Sequence, residues 1–207
     1  QWIAKSAYPM TLRTGAELGL RGDKQYIYAN ETFSPNSIYV LDARTDAVVK
    51  LYKGVSSEIS AHTFTVLPDG SKIFTSAGQV WDGTMQSQMG SLEGAPGNLI
   101  KFVPNRNVLV VSKTVAGGDA LMFISAVDYH LLSTYIPIPS GEIKEFEVAP
   151  DGSRLIMNID DRIRVLSLDP AIPSNISIVS GGSQAALLGS QFSTPLKVQV
   201  KNYLGQS

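Results

Sequence analysis

The chain has 207 residues, 43% of them hydrophobic and only 17% charged, and its 17 basic residues face 18 acidic ones for a net charge of −1. That length holds one ordinary domain, or one domain and part of another, and a near-neutral chain has no field to draw in nucleic acid or an anionic membrane surface. Cysteine is absent and histidine occurs only as His62 and His130, which excludes disulfides, thiol nucleophiles, zinc–thiolate centres and three-histidine metal sites.

The first residues, Gln1-Trp2-Ile3-Ala4, carry neither an initiator Met nor a basic-then-apolar leader. The chain therefore reads as starting downstream of a true N-terminus, with residues 1–24 closing one repeat and opening the next. A turn phrase then recurs: Arg21-Gly22-Asp23-Lys24, Pro68-Asp69-Gly70-Ser71, Pro104-Asn105-Arg106-Asn107 and Pro150-Asp151-Gly152-Ser153. The steps are 46, 36 and 46 residues, from 23 to 69, 69 to 105 and 105 to 151. Pro presets φ, Asp or Asn bonds its own backbone and Gly accepts a positive φ, so each phrase predicts a tight hairpin.

The strands around these turns come in order along the chain. The first repeat predicts Tyr26–Ala29, Ile38–Asp42 and Val48–Tyr52; the second Phe64–Leu67, Lys72–Thr75, Gln79–Asp82 and Gln86–Met89. The third predicts Leu99–Val103, Val108–Val111, Leu121–Ile124 and Leu131–Tyr135, and the fourth Phe146–Ala149, Arg154–Met157 and Ile163–Leu166. Alternating, β-branched and aromatic runs between Gly and Pro punctuation favour strands over helices, the best helical candidate being the short stretch Gln184–Gly189. Four antiparallel strands in each stretch of about 40 to 50 residues describe the blade of a β-propeller.

The phrases Ser37-Ile38-Tyr39-Val40-Leu41-Asp42-Ala43-Arg44-Thr45 and Leu67-Pro68-Asp69-Gly70-Ser71-Lys72 resemble the YVTN-type (WD-like) propeller repeat. The resemblance spans roughly residues 10–170 and implies the fold. It leaves the function open among surface proteins, lactonases and quinoprotein subunits. Rings of this type usually have more than four blades, so the resemblance implies an incomplete ring.

After Asp169-Pro170 a linker is expected at 171–175, followed by Ile176-Ser177-Ile178-Val179-Ser180-Gly181-Gly182-Ser183-Gln184 and by Pro195-Leu196-Lys197-Val198-Gln199-Val200-Lys201-Asn202. These residues resemble the opening of a bacterial immunoglobulin-like domain, with Lys201-Asn202 where that family more often carries an acidic residue. A sandwich needs about seven strands in about 100 residues, so residues 176–207 are expected to form only part of one. The expectation is that either further immunoglobulin-like sequence follows in the native protein or residues 192–203 add to a sheet of a neighbouring molecule.

Few side chains suggest chemistry. Trp81-Asp82, with His62 upstream, resembles the structural Asp–His pair of WD-type blades, but a Trp filling the space between blades and a His at a strand entrance are the ordinary readings. His130 falls in a turn. Asp160-Asp161 near Asn158 suggests calcium by its oxygens but reads as a hairpin turn. Gly117-Gly118-Asp119 also reads as a turn, since no helix follows to bind phosphate. Arg21-Gly22-Asp23 spells an integrin-binding tripeptide inside the repeated turn. Asn30-Glu31-Thr32 and Asn175-Ile176-Ser177 are formal glycosylation sequons. Glu58, His62, Lys144 and Glu145 are the polar candidates near a central channel, and no triad order stands out.

The expectation is an all-β chain: propeller blades over 1–170, about four of four strands each, a linker at 171–175, and a partial immunoglobulin-like domain over 176–207. Low charge, tandem β modules, and 23 Ser and 11 Thr point to a non-enzymatic extracellular or cell-surface protein, structural, adhesive or assembling. The periplasm is the other location considered. The partners expected are protein, self or a surface partner, and glycan, with a homo-oligomer or filament as the assembled form. No catalytic, cofactor or metal residue is assigned. The alternative is a propeller enzyme, a lactonase-like hydrolase or a quinoprotein-dehydrogenase-type subunit, whose channel residues lie partly in missing blades.

Overall fold

A computed structural model describes residues 17–31, 37–44, 49–53, 63–135, 141–169, 173–202 and 206–207. All regular structure among them is β. The first sheet contains β1 (Leu18–Leu20), β2 (Tyr26–Glu31), β3 (Ser37–Asp42) and β4 (Val49–Lys53); the second β5 (Phe64–Val66), β6 (Lys72–Thr75), β7 (Gln79–Asp82) and β8 (Gln88–Ser91). The third contains β9 (Leu99–Val103), β10 (Val108–Val115), β11 (Gly118–Ser125) and β12 (Leu131–Tyr135), and the fourth only β13 (Ile143–Val148), β14 (Arg154–Ile159) and β15 (Arg162–Ser167). A two-stranded sheet of β16 (Pro173–Ser180) and β17 (Lys197–Asn202) comes last. Every sheet is an antiparallel meander in sequence order.

The predicted strands recur with shifts of a few residues at their ends. One strand the sequence did not suggest is β1, whose Leu18-Gly19-Leu20 is too short to show a period. No helix forms at Gln184–Gly189, and the expected linker at 171–175 overlaps the start of β16.

Registers make the repeat a physical one. Tyr26, Lys72, Val108 and Arg154 pair with Asp42, Asp82, Ser125 and Ser167, and so occupy one position in four sheets. In the turn before that position, Asp23, Asp69 and Asp151 each accept the backbone N–H two residues on, at 3.0, 2.9 and 2.9 Å. The residue after each aspartate takes a left-handed φ: Gly70 at 69°, Gly152 at 68°, and Lys24 at 59°. The non-glycine at 24 accepts the backbone strain that glycine avoids at 70 and 152.

Alternation sends the two faces of each strand into two different cores. Tyr28, Ile38 and Val40 of the first sheet pack on Phe64, Ile73 and Trp81 of the second. Phe74 and Val80, on the second sheet's other face, meet Leu109, Val111, Met122 and Ile124 of the third. Val108, Val110, Leu121 and Phe123 of the third then meet Phe146, Leu155 and Met157 of the fourth. The first strands form a series in which β1 neighbours β5, β5 neighbours β9 and β9 neighbours β13. The sheets are therefore stacked face to face around a shared row of inner strands.

Candidate functional site

The inner strands bring one charged cluster together. Gly19, Thr65, Lys101 and Glu147 stand opposite Tyr28, Phe74, Val110 and Ile156, at the same position of β1, β5, β9 and β13. The Lys101 Nζ lies 2.6 Å from Glu147 Oε1 and 3.7 Å from Glu17 Oε1, while Glu17 Oε2 accepts the Phe64 N–H at 2.8 Å. Burial pushes the Glu17 carboxyl above its ordinary range despite the Phe64 N–H and Lys101. Burial also opposes the charge on Lys101, but the two carboxylates outweigh it and raise its pKa. One cation shared by two carboxylates, the nearer being Glu147, leaves Glu17 undercompensated.

This arrangement sets a pH dependence. Between the ordinary glutamate value and the raised folded one, the native state holds a proton the unfolded chain has released, so stability falls as pH rises through that interval. Glu17→Gln keeps an acceptor for Phe64 and removes the charge. The variant should therefore gain stability relative to the parent as pH rises above the ordinary glutamate value in urea titrations. A difference that stays flat across that interval would refute the burial argument.

Of the channel candidates, Glu58 and His62 lie outside the described residues. Lys144 does not join the cluster; its Nζ pairs with Asp161 at 2.8 Å. Glu145 pairs in register with Asn158. Asp160 and Asp161, at φ 50° and 62°, form the two-residue hairpin between β14 and β15, and Asp160 accepts the Glu142 N–H at 3.1 Å. Gly117 and Gly118, at φ 97° and 119°, turn β10 into β11. The buried Asp119 accepts the Ile143 N–H at 2.8 Å, joining the third sheet to β13.

Asp82 caps its own turn. Its Oδ1 accepts the Gln86 and Ser87 N–H groups at 2.8 and 3.0 Å, and its Oδ2 accepts the Thr84 hydroxyl at 2.6 Å. Burial raises this carboxyl, but the hydrogen bonds from Thr84, Ser87 and Gln86 together outweigh it and hold the pKa below the usual value. The same register position acts alike elsewhere. Asp42 accepts the Arg44 N–H at 3.0 Å, Ser125 Oγ that of Val127 at 3.3 Å, and Ser167 Oγ that of Asp169 at 3.3 Å. The Arg44 guanidinium also grips Asp42, and its side-chain and backbone bonds hold that carboxyl down to about 2.

His130 is exposed, its Nδ1 3.2 Å from Glu93 Oε2, which also accepts the Leu131 N–H at 2.8 Å. The Leu131 N–H first, then His130, hold Glu93 below its usual range. The Arg21-Gly22-Asp23 tripeptide is locked between sheets: Gly22 N–H donates to Pro68 O at 2.9 Å and Arg21 Nε lies 3.2 Å from Asp23. Asn30 is fully buried in β2, which places the first sequon's acceptor out of reach.

Beside that turn lies a recess of about 260 Å³ lined by Arg21, Tyr26, Tyr28, Val40, Gly83, Thr84 and Gln86. The Arg21 and Arg44 guanidinium carbons sit 5.1 and 5.4 Å from the Tyr26 ring centre. The Tyr28 hydroxyl donates to Gly83 O at 3.0 Å, and burial pushes its pKa up. The recess thus lies between the first two sheets, with two tyrosines and an arginine among its lining residues.

No protein-family model matches the chain, and no curated protein matches it in sequence. Its folded shape does have counterparts among solved structures. A chain of the Kuenenia stuttgartiensis hydrazine synthase matches with a TM-score of 0.58 and 17% identity, over 86% of this chain and 56% of that one. The β-propeller domain of Myceliophteria thermophila Cps50 (Swd1) matches with a TM-score of 0.60 and 17% identity, over 86% and 55%. A chain of the mitotic checkpoint complex gives 0.54 at 18% identity, over 72% and 45%. The chain spans about half the length of the solved chains it matches. At these identities the likeness is one of fold, an all-β, propeller-like stack of antiparallel sheets.

Proposed function

We propose that the four sheets are four blades of a YVTN-like propeller, that the β16–β17 sheet opens an immunoglobulin-like unit, and that the chain is a non-enzymatic assembly module of the cell surface or extracellular space. Its partner in this reading is protein, first of all a second copy. One of the structural neighbours belongs to a multiprotein assembly, the mitotic checkpoint complex, which accords with a propeller used as a scaffold.

The observation that carries the proposal is the β16–β17 sheet itself. Ile176 pairs with Val200 and Ile178 with Val198, so four apolar side chains share one face, exposed by 66, 42, 63 and 50% respectively. Among the described residues both long edges of this sheet are unpaired. A bare apolar ribbon with two open edges is a template for another strand.

Sedimentation velocity over a range of concentrations tests this. The chain is expected to associate reversibly, and Val198→Lys/Val200→Lys to remain monomeric with an unchanged circular dichroism spectrum. A parent chain that stays monomeric at the highest concentration, or a double variant that associates equally well, overturns the proposal.

A further inference from the structure

The fourth sheet stops one strand short. Among the described residues the other three have four strands, whereas this one ends at β15, and Ile163 and Val165 on that strand are exposed by 70 and 60%. The link after β15 is nevertheless as long as those that lead to the fourth strand of the second and third sheets, and one residue shorter than that of the first, 43–48. Five residues, 83–87, separate β7 from β8, and five, 126–130, separate β11 from β12; five, 168–172, separate β15 from β16. The link also begins with the same chemistry. Ser167 holds the register position of Asp82 and Ser125 and, like them, accepts a backbone N–H from the turn it opens. β16 presents a free edge on the side away from β17.

From these observations we infer that β16 is the fourth strand of the fourth sheet, docking its free edge on β15 of the same chain to make one continuous sheet from β13 to β17. The pairing with β17 is kept, because β16 uses one edge for β17 and would use the other for β15. The registers of the second and third sheets transfer directly. Each has a bulge next to the same position, between Val80 and Trp81 and between Phe123 and Ile124. Past the bulge, Met122 pairs with Thr134 and Leu121 with Tyr135. The equivalent pairs are Arg164 with Ile176 and Ile163 with Ser177.

The consequence is an interaction surface with a defined donor. The link sets β16 at high effective concentration beside β15, so the edge is filled in cis, and β17 is left as the open edge of a rigidly attached sheet. The inference replaces the immunoglobulin-like reading of β16 and leaves the apolar face and the outer edge of β17 for a second copy, so it holds whether or not the chain self-associates.

Because the chain has no cysteine, two double variants test it directly: Arg164→Cys/Ile176→Cys and Ile163→Cys/Ser177→Cys. At least one is expected to oxidise to a disulfide within single chains, seen by non-reducing electrophoresis and intact mass. In the unmodified chain, backbone amides of residues 162–167 are expected to exchange at least about tenfold more slowly than those of an unpaired edge. Cross-links that form only between chains would make a second copy the donor and overturn the cis assignment. Fast exchange across 162–167 together with no cross-link in either variant would overturn it altogether.

Discussion

Gly83→Ala is expected to destabilise the chain by about 3 kcal/mol, the upper part of the range for forcing an extra carbon into a packed site. A Cβ at this position would lie 1.8 Å from Gly70 O, a backbone atom in the turn between β5 and β6. Neither side can yield cheaply. The Gly83 N–H donates to Ser71 O at 3.0 Å, and its carbonyl receives the Tyr28 hydroxyl at 3.0 Å. Moving Gly83 therefore loosens the second sheet's two turns and the wall it shares with the first sheet. Gly117→Ala is the control. Its Cβ would meet nothing within 4 Å, but its φ of 97° charges a conformational penalty of about 1 kcal/mol. Urea midpoints at constant slope would separate the two, and equal losses would show that steric contact at residue 83 does not matter.

Phe123→Ala is expected to cost about 3 to 5 kcal/mol, as for other fully buried aromatic truncations. Phe123 is inaccessible and lies in the core between the third and fourth sheets, with Val110, Phe146, Leu155 and Met157. Because each sheet packs mainly on its neighbours, the damage should be directional. Amides of β13 to β15 should exchange faster before those of β5 to β8 do, and uniform acceleration in both would contradict a stack of separable interfaces.

Much of this architecture was legible in the chain. The turn phrases marked two of the four hairpins by Pro, Asp and Gly together, a third by Pro104 and its asparagines and the first by Gly22 and Asp23, because those residue types govern local φ and need no distant partner. The same spacing also held the inner cluster. Stepping 46, 36 and 46 residues from Gly19 reaches Thr65, Lys101 and Glu147, so Lys101 and Glu147 could have been placed at one position of successive inner strands. Glu17 could not, since its role depends on the Phe64 N–H that the fold alone brings to it. Asp82 shows the opposite case. The structure gives its oxygens to Thr84, Gln86 and Ser87 within its own turn, and His62, the partner its sequence context allowed, lies outside the described residues.

The recess lay beyond reach for the same reason as Glu17. Arg21, Tyr28, Val40 and Gly83 come from different turns and strands of two sheets, and no spacing along the chain encodes their meeting. Local φ preferences, alternation and repeat length by themselves determined that this protein is a succession of antiparallel hairpins with polar turns. Tertiary structure alone decided which faces meet, which carboxylate loses its water and shifts upward, and which strand edges stay open, because burial and pairing are properties of surfaces brought together across roughly 30 to 50 residues of chain.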